Sequence, residues 1–385
     1  MKDIIYFDNS ATTYPKPEIV YNYMDEFYRK FGINANRGKY SKSNHVRDII
    51  DSTRKLLKEL FNCPKDKEVV FTSSATEAIN IILQGINWSS INNVYLTRFE
   101  HNAILRTLNH LKKKYNININ YLECDKESLT YNLEKIRYQF DEINPDLVIM
   151  THASNVCGNI TPIKEISSIA KKYNSKTMVD GAQTSGLLDI NLKKTDIDYL
   201  VFAGHKTLYG PFGISGFVVN NDSNIRPLMF GGTGYDSANI ELPESIPQKF
   251  EVGSKNTLAI AGLYASLKWI NKVGREEILK SEKKLTKLLL ECLEDFDNIK
   301  VFKTKDLENQ LGVVSCVFNN IASNTVGQVL DKNNIAVRTG LHCAPEAHKF
   351  INTFPGGTVR FSLSYFNNED QISKIYDVLE EIYFS

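Results

Sequence analysis

The sequence predicts an α/β protein with a mainly parallel sheet covered by helices, followed by a smaller α+β domain. Short apolar runs alternate with amphipathic stretches between residues 69 and 202, which is typical of parallel strands joined by crossover helices. Beyond residue 255 the pattern changes to longer helices and scattered strands, and 385 residues exceed the usual size of one core. We therefore expect a large domain over 15–255 and a small domain over 256–385, with segment 1–14 packing against the small one.

The spacing of apolar residues predicts the elements of the large domain. Apolar side chains recur at helical spacing over 45–61, which indicates a helix with one buried face. Short apolar runs then predict strands at 69–71, 94–96, 147–150, 177–179 and 199–202. Helical stretches between them are predicted at 103–115 and 163–173. Strands that alternate with helices favour a parallel sheet covered on both faces.

The small domain has a mixed pattern. Two helices are predicted over 258–295, with a break near Val273 and Gly274. Strands are predicted at 313–318 and 358–363, and helices at 325–333 and 369–383. No internal repeat is apparent.

Composition and charge exclude several classes of function. The chain has 46 basic and 45 acidic residues, so its net charge of +1 provides no electrostatic footprint for nucleic acid or an acidic membrane. Six scattered cysteines without a C-x-x-C pair are typical of free thiols in a reducing compartment. Neither a signal peptide nor an apolar run long enough to span a bilayer is visible. We expect a cytoplasmic protein with a small-molecule substrate.

A lysine and an aspartate follow neighbouring predicted strands. Lys206 comes shortly after the run that ends at Phe202, and Asp180 follows Val179. A lysine amine condenses with aldehydes, and a buried carboxylate can hold a pyridine nitrogen protonated. The pair therefore suggests pyridoxal phosphate, although a surface role is the usual one for a lysine.

Other polar residues fall at the same strand ends, where open parallel sheets bind their ligands. Ser74 and Glu77 form a capping box, which would aim the amides of Ala75 and Thr76 at a phosphate or serve only to begin a helix. His101 could stack on a cofactor ring or be an ordinary loop histidine. Similarly, Asn155 could bond a phenolic oxygen or stabilise a turn.

A second group of candidates lies in the last fifth of the chain. Arg338, His342 and His348 surround Cys343, and as cations they would lower the pKa of its thiol. The alternatives are an inert buried cysteine and a metal site, which we do not expect because a fourth ligand is missing nearby. Arg360 could bind a substrate carboxylate or pair with an acidic residue of the protein.

Together these stretches resemble the class V aminotransferase family of pyridoxal phosphate proteins with fold type I, and within it the group II, or SufS-like, cysteine desulfurases and selenocysteine lyases. The resemblance covers nearly the whole chain. It rests on the order of the segments at 6–13, 36–38, 75–78, 100–101, 154–155, 180–183, 204–206, 250–254 and 338–344.

The resemblance implies roles for single residues. Lys206 matches the Schiff-base lysine, His101 the ring-stacking histidine and Asp180 the partner of the pyridine nitrogen. The remaining cofactor positions are Asn155 and Gln183 near the ring oxygen, Ala75, Thr76 and His205 near the phosphate, and Ser254, which would reach the phosphate of the other subunit. Arg360 matches the arginine that binds the substrate carboxylate, with Asn155 and Arg37 beside it, and Cys343 matches the cysteine that accepts sulfur.

The implied activity is the conversion of L-cysteine to L-alanine, with the sulfur transferred to Cys343 as a persulfide. The resemblance also implies a homodimer with active sites at its interface and a sulfur-acceptor protein. L-Selenocysteine as the substrate, another β-lyase or aminotransferase activity, and a non-catalytic sulfur-relay protein are the alternatives. The chain departs from the family pattern at Ala203, where Ser or Thr usually bonds the phosphate, and in a loop one residue longer between Lys206 and Gly210.

Overall fold

A computed structural model describes residues 4–35, 40–234 and 238–384. The helices are α1 (Glu18–Phe31), α2 (Ser41–Leu60), α3 (Ala75–Gly85), α4 (Asn102–Lys112), α5 (Leu133–Glu142), α6 (Ile163–Lys171), α7 (Thr257–Val273), α8 (Arg275–Glu294), α9 (Ser323–Lys332), α10 (Pro345–Phe350) and α11 (Glu369–Phe384). The strands are β1 (Ile5–Tyr6), β2 (Lys67–Thr72), β3 (Asn93–Leu96), β4 (Asn118–Tyr121), β5 (Leu147–Thr151), β6 (Lys176–Asp180), β7 (Tyr199–Ala203), β8 (Ser215–Asn220), β9 (Ile299–Phe302), β10 (Val313–Phe318), β11 (Ile335–Ala336), β12 (Arg338–Gly340) and β13 (Thr358–Ser362).

The large sheet has seven strands in the order β2-β8-β7-β6-β5-β3-β4. Strands β7, β6, β5, β3 and β4 run parallel, whereas β8 is antiparallel to both of its neighbours. The predicted mainly parallel sheet is therefore confirmed. The chain passes from β3 to the edge strand β4 and then back to β5 on the other side of β3. This reversal opens a crevice at the carboxyl ends of the strands.

The central strands are apolar along their whole length because both faces of the sheet are covered. All five residues of β5 are buried. Val148 and Met150 pack into one hydrophobic cluster with α2 and α7, while Leu147 and Ile149 pack into another with α3 and α4. Successive side chains of a strand point to opposite faces of the sheet. A strand that lies between two layers of helices is therefore apolar at every position of its sequence.

Strand β8 was not predicted from the sequence, and Gly216 explains why. A glycine inside a strand weakens the sequence signal for that strand. In the structure, a Cβ at Gly216 would lie 2.2 Å from the carbonyl oxygen of Val70 and 2.6 Å from the ring of Phe202. The sheet is thus packed too closely for a side chain at this position.

The C-terminal part contains an antiparallel sheet in the order β12-β13-β10-β9. Its hydrophobic cluster joins β10 and β13 to α8, α9 and α11. Ile5 and Phe7 belong to this cluster, and β1 pairs in parallel with β11. The N-terminal segment therefore lies against the last third of the chain.

The division of the chain at 255 and 256 stays a prediction. The two helices expected over 258–295 are α7 and α8, separated at Gly274, whose φ of +93° suits glycine. Helix α7 packs into the same cluster as α2, and the change to the C-terminal cluster comes within α8, between Ile278 and Leu285. Contacts thus run across the proposed boundary.

Candidate functional site

A cavity of about 240 Å³ lies at the carboxyl ends of the parallel strands. It brings together residues that follow β6, β7, β3 and β5 with residues from the C-terminal sheet. The sequence-predicted residues that line it are Ala75, Thr76, His101, Asn155, Asp180, Gln183, His205, Lys206, Cys343 and Arg360. Ala203, Arg338 and His342 line it as well.

Lys206 lies three residues after the end of β7 and faces this cavity. Burial lowers the pKa of its amine to about 8, because desolvation disfavours the ammonium form. Asp180 opposes this shift, while the positive charges of Arg360 and Arg338 reinforce it. A far larger fraction of the amine than in an ordinary lysine is therefore neutral, and hence nucleophilic, near neutral pH.

Asp180 is the last residue of β6 and is 6% exposed. One of its carboxylate oxygens accepts a hydrogen bond from the backbone N–H of Ala182 at 2.9 Å. This bond fixes the side chain in the turn that follows the strand. The carboxylate is thus held at the cavity wall, where it can accept a proton or bind a cation.

The start of α3 has the predicted cap. The Ser74 hydroxyl accepts from the N–H of Glu77 at 3.1 Å, and the Glu77 carboxylate accepts from the N–H of Ser73 at 2.7 Å. Ala75 and Thr76, in the first turn, line the cavity. Their N–H groups lie at the positive end of the helix dipole, so this wall suits an anion.

His101 is the N-cap of α4. Its Nδ1 accepts from the N–H of Ala103 at 3.0 Å, so that nitrogen carries no proton. Burial, and then the charge of Lys206, lowers the pKa of the imidazole. A neutral ring held in one orientation is a suitable surface for stacking, and the predicted stacking role stays a prediction.

Glu100, a site residue that the sequence did not reveal, connects the carboxyl ends of β3 and β5 next to His101. It is fully buried, and one oxygen accepts from the Thr97 hydroxyl at 2.6 Å and from the N–H of Thr151 at 2.8 Å. Burial raises the pKa of this carboxyl to about 8. The available signal was an acidic residue directly after a buried strand, where desolvation requires a partner.

The side-chain amides of Asn155 and Gln183 bond to backbone carbonyls. Asn155 Nδ2 donates to the carbonyl of His342 at 2.7 Å, and Gln183 Nε2 donates to the carbonyl of Ser10 at 3.0 Å. Both side chains line the cavity and connect it to other segments of the chain. Their predicted places beside a ring oxygen stay predictions.

The carbonyl of His205, next to Lys206, is held by the N-terminal segment. It accepts from Lys16 Nζ at 2.6 Å and from the Thr12 hydroxyl at 2.9 Å. The His205 imidazole stacks on Phe212, and burial lowers its pKa to about 3. Its Nδ1 is buried and has no hydrogen-bond partner in the described part of the chain, which leaves one polar atom for a ligand.

The loop after Lys206, which the sequence comparison identifies as lengthened, is hydrogen-bonded to three other segments of the chain. The Thr207 hydroxyl accepts from the N–H of Gly186 at 3.2 Å. The Tyr209 hydroxyl donates to Glu282 and accepts from the N–H of Tyr365, each at 3.1 Å. Tyr209 has a φ of +56°, so these two contacts stabilise a conformation that is unusual for a side-chain-bearing residue.

Arg360 pairs with an acidic residue of the protein and also borders the cavity, so its predicted binding of a substrate carboxylate stays a prediction. The residue is 1% exposed and lines the cavity, and its guanidinium forms an ion pair with Asp8. Nη1 donates to the carbonyl of Asn155 at 2.9 Å, whereas the buried Nε has no partner among the described residues. Burial lowers the arginine pKa and Asp8 counteracts this. The free Nε–H leaves a donor for a carboxylate.

Cys343 is exposed and borders two spaces. It lines the inner cavity and also an outer groove of about 420 Å³ between α3 and α4. Its carbonyl accepts from the N–H of Asn102 at 2.7 Å, which fixes the cysteine at the start of α4. A sulfur at this position is reachable from inside and outside.

The prediction that cations surround Cys343 is partly wrong. His342 and His348 are buried, and burial lowers their pKa values to about 2 and about 4, so both are neutral at physiological pH. Each imidazole bonds to a threonine hydroxyl, Thr358 at 2.8 Å or Thr353 at 2.7 Å. The sequence spacing did not reveal this burial.

One predicted site residue lies outside the cavity, and another cannot be placed. Ser254 is exposed and borders a separate pocket beside α1. Arg37 lies outside the described residues. Among the residues that the structure describes, no group of three or more metal-binding side chains comes together, and no helix is long and apolar enough to cross a membrane.

The chain is similar to known proteins over nearly its whole length. Residues 5–375 match the family model described as aminotransferase class-V. A probable cysteine desulfurase of Pyrococcus abyssi is 31% identical over 99% of this chain and 94% of its own length. A cysteine desulfurase of Escherichia coli is 29% identical over 99% and 93%. The apo structure of the cysteine desulfurase from Thermococcus onnurineus superposes with a TM-score of 0.92 at 29% identity, covering 99% of this chain and 95% of that one.

Proposed function

The chain belongs to the class V aminotransferase family, and we propose that it is a pyridoxal phosphate-dependent cysteine desulfurase that converts L-cysteine to L-alanine. The observation that carries this proposal is the meeting of Lys206, Arg360 and Cys343 around one cavity. A nucleophilic amine, a carboxylate-binding guanidinium and an exposed thiol are the groups needed to bind a cysteine and accept its sulfur. The transfer of sulfur to Cys343 distinguishes this activity from transamination.

The residues around the cavity fit pyridoxal phosphate. Lys206 would hold the aldehyde carbon and Asp180 the pyridine nitrogen, while His101 would lie against the ring. The N-terminus of α3 and the unpaired Nδ1 of His205 support a phosphate site. When bound, this cofactor supplies an electrophilic carbon for the substrate amine and a sink for the electrons of bond cleavage.

Lys206 would then move the substrate's α-proton. Its amine is neutral in part near pH 8, so it can accept that proton as a base and return it as an acid. Arg360, held by Asp8 and the carbonyl of Asn155, would bind the substrate carboxylate through its remaining donors. Arg37 stays a proposed substrate-binding residue.

Cys343 would accept the sulfur. As a thiolate it attacks the substrate sulfur, so a sulfur–sulfur bond forms while the substrate's carbon–sulfur bond breaks and its electron pair remains with the carbon. Protonation of that carbon gives alanine. The exposed sulfur then leaves through the outer groove to a sulfur-acceptor protein, which the exposure of Cys343 supports.

We also infer a cytoplasmic homodimer with active sites at its interface and with a group II arrangement of Cys343. The exposed position of Ser254, away from its own cavity, is consistent with a role in the partner subunit's site. The cysteines of the described chain are free, as in a reducing compartment.

The test is a panel of L-cysteine, L-selenocysteine, cysteine sulfinate and cystine, with alanine, pyruvate and released sulfur measured separately. We expect alanine from L-cysteine, loss of the cofactor's visible absorbance in Lys206→Ala, and loss of sulfur release in Cys343→Ser. Cys63→Ser, which changes a half-buried cysteine in the described chain, serves as the control. Pyruvate as the product, or full cysteine turnover by Cys343→Ser, would instead favour a simple β-lyase or a selenocysteine lyase.

A further inference from the structure

The loop that carries Cys343 has an unfavourable backbone conformation. His342 and Cys343 are successive non-glycine residues with φ values of +46° and +59°. The left-handed region disfavours residues with a Cβ, so such a pair persists only where surrounding contacts hold it. Contacts that hold these two residues therefore determine where the Cys343 sulfur lies.

The His342 ring begins a chain of hydrogen bonds into the interior. Its Nε2 lies 2.8 Å from the Thr358 hydroxyl, which donates to the Ser315 hydroxyl at 3.1 Å. The Ser315 hydroxyl in turn donates to the carbonyl of Val156 at 2.7 Å. His342, Thr358 and Ser315 are all buried, so water does not compete with these bonds.

We call this chain of hydrogen bonds, from His342 through Thr358 and Ser315 to Val156, the relay. Counting its protons fixes the direction of each bond. The Ser315 hydroxyl gives its only proton to Val156, and the Thr358 hydroxyl gives its only proton to Ser315. Thr358 must therefore accept from His342, which places the proton of the neutral imidazole on Nε2. The ring thus acts as a donor at one end of a one-way relay.

The turn after β5 contacts His342 at both ends of the relay. Asn155 Nδ2 donates to the backbone carbonyl of His342, and Asn155 directly precedes Val156, which accepts the last bond of the relay. His342 is consequently held at its ring and at its carbonyl by the same turn. The next residue along the chain is Cys343.

The His342 ring is unsuited to acid–base work on the thiol. It stays neutral at physiological pH because of burial and the nearby positive charge of Arg360. Its Nδ1 is buried without a hydrogen-bond partner in the described chain. A neutral ring with its one proton already engaged can fix geometry but has no proton to exchange.

We propose that His342 is a positioning residue for Cys343, and that the Thr358 and Ser315 hydroxyls hold it in place. The relay keeps the Cys343 sulfur at the boundary between the inner cavity and the outer groove. Its consequence for sulfur transfer rests on the proposed function, whereas its consequence for the loop does not.

The test compares Thr358→Val, which removes the acceptor and keeps the shape, with Thr358→Ser, which keeps the hydroxyl. Thr53→Val is the matched control, because Thr53 is also fully buried but donates within α2, to the carbonyl of Ile49. Hydrogen exchange of the Asn102 amide reports the loop without any turnover, since that N–H bonds to the Cys343 carbonyl. Persulfide formation on Cys343 in a single turnover and the Kd for L-alanine are measured in parallel.

In Thr358→Val we expect Asn102 exchange to accelerate about tenfold, because the loop that holds the Cys343 carbonyl loses one of the buried hydrogen bonds that keep it in place. Persulfide formation should slow by a similar factor while the Kd for L-alanine is unchanged, and Thr358→Ser should restore both rates. Unchanged Asn102 exchange in Thr358→Val, or equal acceleration in Thr53→Val, would overturn the proposal. Absence of persulfide in the unmodified protein would overturn the proposed function alone, because the exchange measurement is independent of it.

Discussion

Lys206 lies in surroundings that suit a nucleophile better than a surface charge. Burial lowers the pKa of its amine to about 8 from the ordinary 10.5, and Asp180 limits the shift. Only the neutral amine attacks an aldehyde. The residue is thus prepared for its proposed chemistry before any cofactor arrives.

The expected consequence is a pH-dependent capture of pyridoxal phosphate by the cofactor-free protein. The capture rate should rise with pH through about 8, where half of the amine is deprotonated, and level off about one pH unit higher. Stopped-flow absorbance measures the rate, with Lys206→Ala as the variant that shows no band. A rate that continues to rise beyond pH 10 would mean that the amine has an ordinary pKa.

Part of the site was predictable at the level of single residues. Lys206, Asp180, His101 and Asn155 follow predicted strands, and strand ends in a parallel sheet meet at one edge. The sequence did not reveal Glu100 or Lys16, whose contacts depend on segments that fold over them. For the same reason it predicted charged histidines near Cys343, where burial keeps both rings neutral.

Helix α3 begins at a cap that serves both the helix and the cavity. Ser74 satisfies the N–H of Glu77, and the first turn presents Ala75 and Thr76 to the cavity. The sequence showed this helix start because capping is local in sequence. Strand β8 escaped prediction because its fit depends on packing against other strands.

Replacing Ser74 with Ala should lower the free energy of unfolding by about 1 kcal/mol, because one N–H of the first turn loses its acceptor. Fraying of that turn should also weaken the affinity for pyridoxal phosphate severalfold. Asn132→Ala is the control, since Asn132 caps α5 away from the cavity through the N–H of Lys135. Denaturant titration and equilibrium dialysis measure the two effects. Equal loss of affinity in both variants would argue against an anion site at α3.

At the scale of the whole molecule, the N-terminal segment joins the two ends of the chain. Asp8 pairs with Arg360, the carbonyl of Ser10 accepts from Gln183, and Lys16 holds the carbonyl of His205. These contacts link residues far apart in sequence, which local patterns cannot show. The complete cavity therefore depends on the fold of the entire chain.

The Asp8 and Arg360 pair should show strong coupling in unfolding experiments. Asp8→Asn leaves a buried guanidinium without its counter-ion and should destabilise the protein by about 3–5 kcal/mol. The double variant Asp8→Asn with Arg360→Met should regain much of that loss, because neither charge remains. Denaturant titration of the unmodified protein, the two single variants and the double variant gives the coupling free energy between Asp8 and Arg360.

Glu369→Gln is the control for this cycle. It removes an exposed ion pair with Lys284 and should change the free energy of unfolding by less than about 1 kcal/mol. Losses that simply add in the double variant would show that Asp8 and Arg360 act independently.

The contact between Asp8 and Arg360 spans 352 residues, and this has a consequence for the synthesis of the protein. A ribosome releases the lysine and the aspartate of the site long before it releases β13. A nascent chain at that stage has the groups to capture an aldehyde but lacks the arginine proposed to select amino acids. The proposed substrate selection by Arg360 therefore becomes possible only after β13 has been translated and Arg360 has paired with Asp8.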